Sequence, residues 1–243
     1  MKATHQIQTG LTNLCRSAGG PRDRQLLLGD EFHLSEQDGD WSRGRAKKDG
    51  YQGYVKTADL EPAAPHSHWV STISSHAYAA PDLKSADQMS LPFGAQVAVT
   101  AQSGTFCETA QGFIPHQHLR PIGTFFTDPI QVAMMFLGAP YLWGGNSVSG
   151  IDCSGLVQAA CLACGSECPG DTGPQQEFFS PLDGAWAKGQ VVFWSGHVAL
   201  TISADELIHA NAHAMAVTVE GIETTIERIS DAGDGPVIHR ARL

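Results

Sequence analysis

Leu26-x-Leu28-Gly29-x-x-Phe32-x-Leu34, followed by Gly39-x-Trp41, returns further along the chain as Leu91-x-Phe93-Gly94-x-x-Val97-x-Val99 and Gly104-x-Phe106. Each apolar or glycine position recurs at a constant spacing of 65 residues, with no gap. Beyond them, Gly53-Tyr54-Val55, Leu60 and Pro62 match Gly112-Phe113-Ile114, Leu119 and Pro121 at a spacing of 59, so the first copy carries six extra residues within Ser42 to Gln52. Short alternating stretches punctuated by glycine are the pattern of a small β-barrel of about 60 residues. The expected division is residues 1-62 as a first barrel, 66-122 as a second and 124-243 as a third domain. Pro62-Ala63-Ala64-Pro65 reads as an extended linker between the barrels, because two prolines stiffen it.

Composition narrows the function classes. Apolar residues make up 42% of the 243 and charged residues only 16%, below the average of about 25%, which describes a globular chain. The 15 Lys and Arg against 25 Asp and Glu give a net charge of −10 and form no basic stripe, so no nucleic acid partner is expected. The longest mostly apolar run, Val132 to Trp143, is 12 residues broken by Gly138 and Pro140, too short for a membrane helix, and no membrane partner is expected. Met1 to Gln6 holds one basic residue and no apolar signal-peptide core follows, so the expected location is cytoplasmic. Six Cys are too sparse for a disulfide scaffold and are expected as thiols.

After Gly123 the pattern changes. Asp128-Pro129 before an apolar run that stops at Gly138-Ala139-Pro140 predicts a capped helix of about nine residues. A second helix is predicted from Asp152 to Gly165; Leu156, Val157, Ala159, Ala160, Leu162 and Ala163 leave it almost no polar side, so it is buried. Strands follow at Gln190 to Trp194, His197 to Ile202 and Glu206 to Ala210, which makes the third domain α+β.

Cys153 stands at the first turn of the buried helix, where unpaired amides and the helix dipole favour thiolate over thiol. A buried Cys that merely packs fits the position too. A hairpin centred on Ser203 would set His197 and His209 directly opposite one another, one to take the thiol proton and one to hold its partner's tautomer. With 11 His in the chain, such a pairing also arises by chance.

Pro140-Tyr141-Leu142-Trp143-Gly144-Gly145, Asp152-Cys153-Ser154-Gly155-Leu156-Val157-Gln158, Gly189-x-Val191-Val192-Phe193-Trp194, His197-Val198-Ala199-Leu200 and Ile208-His209-Ala210 together resemble the NlpC family of peptidoglycan cysteine peptidases. With two SH3-like barrels ahead of it, the chain looks like the γ-D-glutamyl-L-diamino-acid endopeptidases of that family. The resemblance implies two small all-β SH3-like barrels followed by an α+β papain-like NlpC catalytic domain. It implies Cys153 as nucleophile, His197 as base and then acid, and His209 as the orienting third member. Tyr141 and the Cys153 amide would form the oxyanion hole, and Asp152, Ser154, Asp171 and Thr172 would contact substrate. Gly170, where the family commonly has Arg, and Gln190, where it has an acidic residue, depart from the pattern.

The implied substrate is a murein peptide, L-Ala-γ-D-Glu-diamino acid, with Lys or meso-diaminopimelate undecided. No cofactor or metal is called for, and the oligomeric state is left open. In the resembling enzymes the first barrel lends Tyr and Glu to the pocket for the substrate's N-terminus, which makes Tyr51, Tyr54 and Glu31 candidates here. Tyr54 aligns with Phe113 and so is read as core, whereas Tyr51 lies in the insertion and is the preferred functional tyrosine. Asp152 is both a favoured N-cap and a carboxylate able to meet the ammonium of L-Ala; an Asn there is expected to cap about as well without the charge. Three other readings stay open: structural zinc at Cys161, Cys164 and Cys168, a binding protein with an inactive third domain, and an acyltransferase using the same thiol.

Overall fold

Gly29 and Gly94 adopt φ of 81° and 89°, and Gly39 and Gly104 adopt 54° and 60°, so the repeated glycines make the same left-handed turns in both copies. A side chain is strained in that region, which is why glycine recurs there. The computed structural model describes residues 5–243. In the first copy seven antiparallel strands, from His5–Ile7 to Leu60–Pro62, form one sheet around Ile7, Leu14, Leu26, Phe32, Ala46 and Val55. In the second, a five-stranded and a three-stranded sheet enclose Val70, Ala77, Leu91, Ala95, Val97 and Ile114. Short 3-10 turns at Thr57–Asp59 and His116–His118 close the two copies at matching positions. The extra residues of the first copy lengthen one hairpin: Trp41–Ala46 pairs with Gln52–Lys56, where the second copy has only Phe106–Thr109 with Gly112–Pro115.

Leu28 belongs to the second copy's core, and its carbonyl accepts a bond from the Gln96 amide at 2.8 Å. Both copies fall within a single unit ending at Thr124, with Phe125–Leu243 forming a second unit.

The second unit opens with α1 (Pro129–Met135), whose cap Asp128 accepts the Ile130 amide at 2.9 Å. It is seven residues long, because Phe136 turns its amide back to Ala133 and Gly138 follows at φ 83°. Helix α2 (Cys153–Ala163) is buried along almost its whole length and ends before Gly165, at φ 79°. Five antiparallel strands lie in the order Ala216–Gly221, Glu206–Asn211, His197–Thr201, Gln190–Trp194, His239–Arg242. Two further helices, α3 (Thr172–Phe178) and α4 (Ile222–Asp231), complete the unit. Ile222 and Ile229 of α4 pack on Val192, Trp194, Ala199 and Leu207 of the sheet. Burying apolar side chains of this size contributes roughly 1.5–3 kcal/mol each. Among the described residues no helix is long and apolar enough to cross a membrane.

Candidate active site

Helix α2 begins at Cys153 because Asp152 caps it: Asp152 Oδ1 accepts the Gly155 amide at 2.6 Å and the Ser154 hydroxyl at 3.2 Å. Its other oxygen accepts the Gly144 amide at 2.8 Å, tying the 142–145 loop to the helix start. That junction tolerates no side chain, since a Cβ on Gly155 would lie 2.7 Å from the Gly145 carbonyl oxygen. Both carboxylate oxygens are thus engaged inside the protein, where Asp152 is 7% exposed.

The Cys153 thiol is buried, with the Thr172 hydroxyl 3.8 Å from Sγ. Burial, and then the Asp152 charge, push this thiol above its ordinary value, while Thr172 and the Val198 and Ser154 amides bonded to the sulfur pull the other way. The net direction is upward, which opposes the thiolate expected at a helix start. A neutral thiol needs a base. His197 follows the turn after Trp194 and immediately precedes Val198, whose amide bonds the sulfur.

Its imidazole is kept neutral, pushed down to about 3, chiefly by burial and then by the nearness of His209 and Arg228. His197 Nε2 lies 2.8 Å from His209 Nδ1. The two are not directly opposite, as the sequence suggested. The register pairs Leu200 with Ile208 and Thr201 with Leu207, which centres the turn on Ala204 rather than Ser203. The Ser203 hydroxyl accepts the amides of Asp205 and Glu206 at 3.1 and 3.0 Å, bonds that sit within this turn. His209 therefore sits diagonally across from His197, on the same face of the sheet, and the two rings close the remaining gap.

Tyr141 is held at its backbone by the Met215 carbonyl, 2.9 Å from its amide. Met215, at φ 51°, stands in the turn after the strand that carries His209, so one hairpin positions both side chains. Burial, then the nearness of Cys153 and Asp152, raise the phenol to about 12, which keeps its hydroxyl a proton donor. Asp171 occupies the N-cap position of α3 without a side-chain cap bond, and Thr172 begins the helix. Sequence reading placed no element here. Gln175 anchors it, donating to the Ser154 and Pro169 carbonyls at 2.9 Å each.

Three candidates lie in the first unit. Glu31 pairs with Lys47 at 2.6 Å. Core contact falls to Tyr51, which packs on the first barrel's apolar cluster, whereas Tyr54 is half-buried with Arg43 6.0 Å from its ring centre. The lengthened hairpin supplies the reason, since it folds Tyr51 back so that its carbonyl accepts the Ala46 amide at 2.9 Å. Cys161 and Cys168 are buried and Cys164 half-buried, and among the described residues no three His, Cys, Asp or Glu stand together as a metal site.

The sequence reading missed Glu220. Its carboxylate stands 3.4 Å from His209 Nε2 and is paired with Arg228 at 2.5 Å. No spacing signal marked it, because the strand Ala216–Gly221 alternates too weakly to stand out.

Both units have counterparts among known proteins. Residues 138–229 match the NlpC/P60 family and residues 14–60 the bacterial dipeptidyl-peptidase SH3 domain. The gamma-D-glutamyl-L-lysine dipeptidyl-peptidase of Bacillus subtilis (strain 168) is 26% identical over 231 residues, spanning 83% of this chain and 76% of that protein. The protein of the same name from Bacillus cereus (strain ATCC 10987) is 27% identical, spanning 83% of this chain and 71% of its own. In fold, the crystal structure of an NlpC/P60 family protein from Bacillus cereus ATCC 10987 superposes with a TM-score of 0.81 at 18% identity, covering 99% of each chain. By these matches residues 138–229 form a cysteine peptidase domain of the NlpC/P60 family, with a bacterial dipeptidyl-peptidase SH3 domain at residues 14–60 ahead of it.

Proposed function

We propose that the protein hydrolyses the bond between γ-D-glutamate and an L-diamino acid, Lys or meso-diaminopimelate, in murein peptides with a free N-terminal L-Ala. The observation that carries this reading is the His197–His209 contact of 2.8 Å next to a thiol bonded by the Val198 amide. The names of the two Bacillus relatives support the choice of bond.

In this reading His197 takes the Cys153 proton as the sulfur attacks the γ-carbonyl. Because both groups rest neutral, the proton moves during attack rather than before it. The Tyr141 hydroxyl and the Cys153 amide receive the oxyanion, each donor of this kind contributing about 3 to 4 kcal/mol. His197 returns the proton to the leaving amine, then activates water to release L-Ala-D-Glu. Ser154, Asp171 and Thr172 bind the peptide, and the Asp152 carboxylate receives the L-Ala ammonium. A free amine marks a peptide already cut from the wall, which supports a recycling role in the cytoplasm.

The test is incubation with L-Ala-γ-D-Glu-L-Lys and its meso-diaminopimelate counterpart, with products identified by mass. L-Ala-D-Glu plus the free diamino acid is the expected outcome. Cleavage at another bond, or a new amide with an added amine, would replace this reading with another peptidase specificity or with acyl transfer.

A further inference from the structure

His209 is fully buried, and its Nε2 has no aligned hydrogen-bond acceptor. A buried orphan of this kind calls for a physical account. The Glu220 carboxylate stands against it, with Oε1 at 3.4 Å. That carboxylate is held from both sides. Thr218 and Asn211 donate to Oε1 at 3.1 and 3.5 Å, and Thr225 and Arg228 donate to Oε2 at 3.2 and 2.5 Å.

Thr218, on the strand Ala216–Gly221 with Glu220, is the cross-strand partner of His209, and Asn211 is two residues along the strand of His209, so the cradle is built on the histidine's strand and the one paired with it. Arg228 and Thr225 come from α4. The group so fixed is ionised, its proton affinity lowered by the nearness of His209 and by the bond to Arg228.

We propose that Glu220 is a positioning residue that sets the proton arrangement of both histidines. An ionised carboxylate only accepts, so it holds the His209 proton on Nε2. His209 Nδ1 is then a bare acceptor, and the 2.8 Å contact requires the proton on His197 Nε2. That leaves His197 Nδ1 without a proton, as a base must be. Reversing the first choice reverses the row: a proton on His209 Nδ1 would point at His197 Nε2 and drive the His197 proton to Nδ1, where it cannot accept one from sulfur. A carboxylate with no contact to substrate thereby decides whether the base is competent. The proposal rests on His197 acting as the base for Cys153, as proposed above.

The decisive measurement is long-range 1H–15N NMR on the intact 15N-labelled protein at neutral pH. The expected spectrum has both imidazoles protonated at Nε2 alone; a proton on His209 Nδ1 would overturn the proposal. The companion variant is Glu220→Gln, whose amide can donate or accept and so permits either tautomer. Normalised to folded protein, its kcat should fall at least tenfold with KM within threefold, and Glu220→Asp, still acceptor-only, should recover a large part of the loss. An unchanged kcat per folded molecule with only a lower melting temperature would make Glu220 a strap for α4 and nothing more. If Glu220→Gln does not fold, the wild-type spectrum decides alone. Activity surviving in Cys153→Ala would instead remove the underlying catalytic reading, a separate outcome.

Discussion

His197 and His209 meet at 2.8 Å although their strands do not pair them. A diagonal contact depends on the register, and the register depends on the Ser203 loop. His209→Ala should therefore lower kcat on the order of a hundredfold or more, as loss of an orienting partner does, with KM little changed. Ser203→Ala should act more weakly and in the same direction, by loosening the loop that sets the diagonal. Steady-state rates on the γ-glutamyl peptide check both.

Acid should destabilise the second unit through His197. Its folded proton affinity is depressed to about 3 from 6.5, so protonation favours the unfolded chain. The stabilisation from keeping it neutral is whole above pH 6.5 and is lost as pH falls towards 3, by up to about 1.4 kcal/mol per pH unit. Glu220 works lower, its contribution present above 4.5 and lost below. His66, His68 and His118 in the first unit shift the same way as His197, so the measurable quantity is a difference. Chemical denaturation of wild type and His197→Gln from pH 7 to 5 should show a steeper loss in wild type; parallel curves would contradict the assignment.

Gly155→Ala tests the junction of helix and loop. The added methyl would lie 2.7 Å from the Gly145 carbonyl oxygen and 2.9 Å from Asp152 Oδ1, neither free to withdraw. Overpacking of this kind costs about 1–3 kcal/mol, and the displaced helix start should also carry Cys153 out of line. Melting temperature and activity should fall together.

Asp152→Asn does not leave the cap intact, contrary to what residue type alone suggests. One oxygen serves Gly155 and the other the Gly144 amide, so an Asn amide must turn its NH2 towards a donor. Leaving a buried group unmatched costs about 1–3 kcal/mol. Removing the Asp152 charge should also lower the thiol's proton affinity, since that charge raises it. Thermal unfolding and the pH dependence of iodoacetamide labelling at Cys153 separate the two effects.

The periodic parts of the fold were legible. Leu26, Gly29 and Phe32 against Leu91, Gly94 and Val97 announced the repeat because glycine turns and two-residue alternation act locally. The start of α2 could be read from Asp152, since an N-cap is a local device. Helix α3 was missed because Gly173 and Pro174 disguise it, and Gln175 holds it by bonds to residues 154 and 169 that no local pattern encodes. Glu220 escaped for the same reason: its effect on His209 comes from strand pairing, which a list of residues does not display.

The central claim is that the Cys153 sulfur carries the acyl group during turnover. Acid quenching of the protein mid-reaction with L-Ala-γ-D-Glu-L-Lys, then mass analysis of its proteolytic fragments, reads that directly. The account predicts an L-Ala-γ-D-glutamyl adduct on the fragment containing Cys153, absent from Cys153→Ala, which should also be inactive. Continued hydrolysis by Cys153→Ala, or an adduct on Cys161, Cys164 or Cys168 instead, would contradict it.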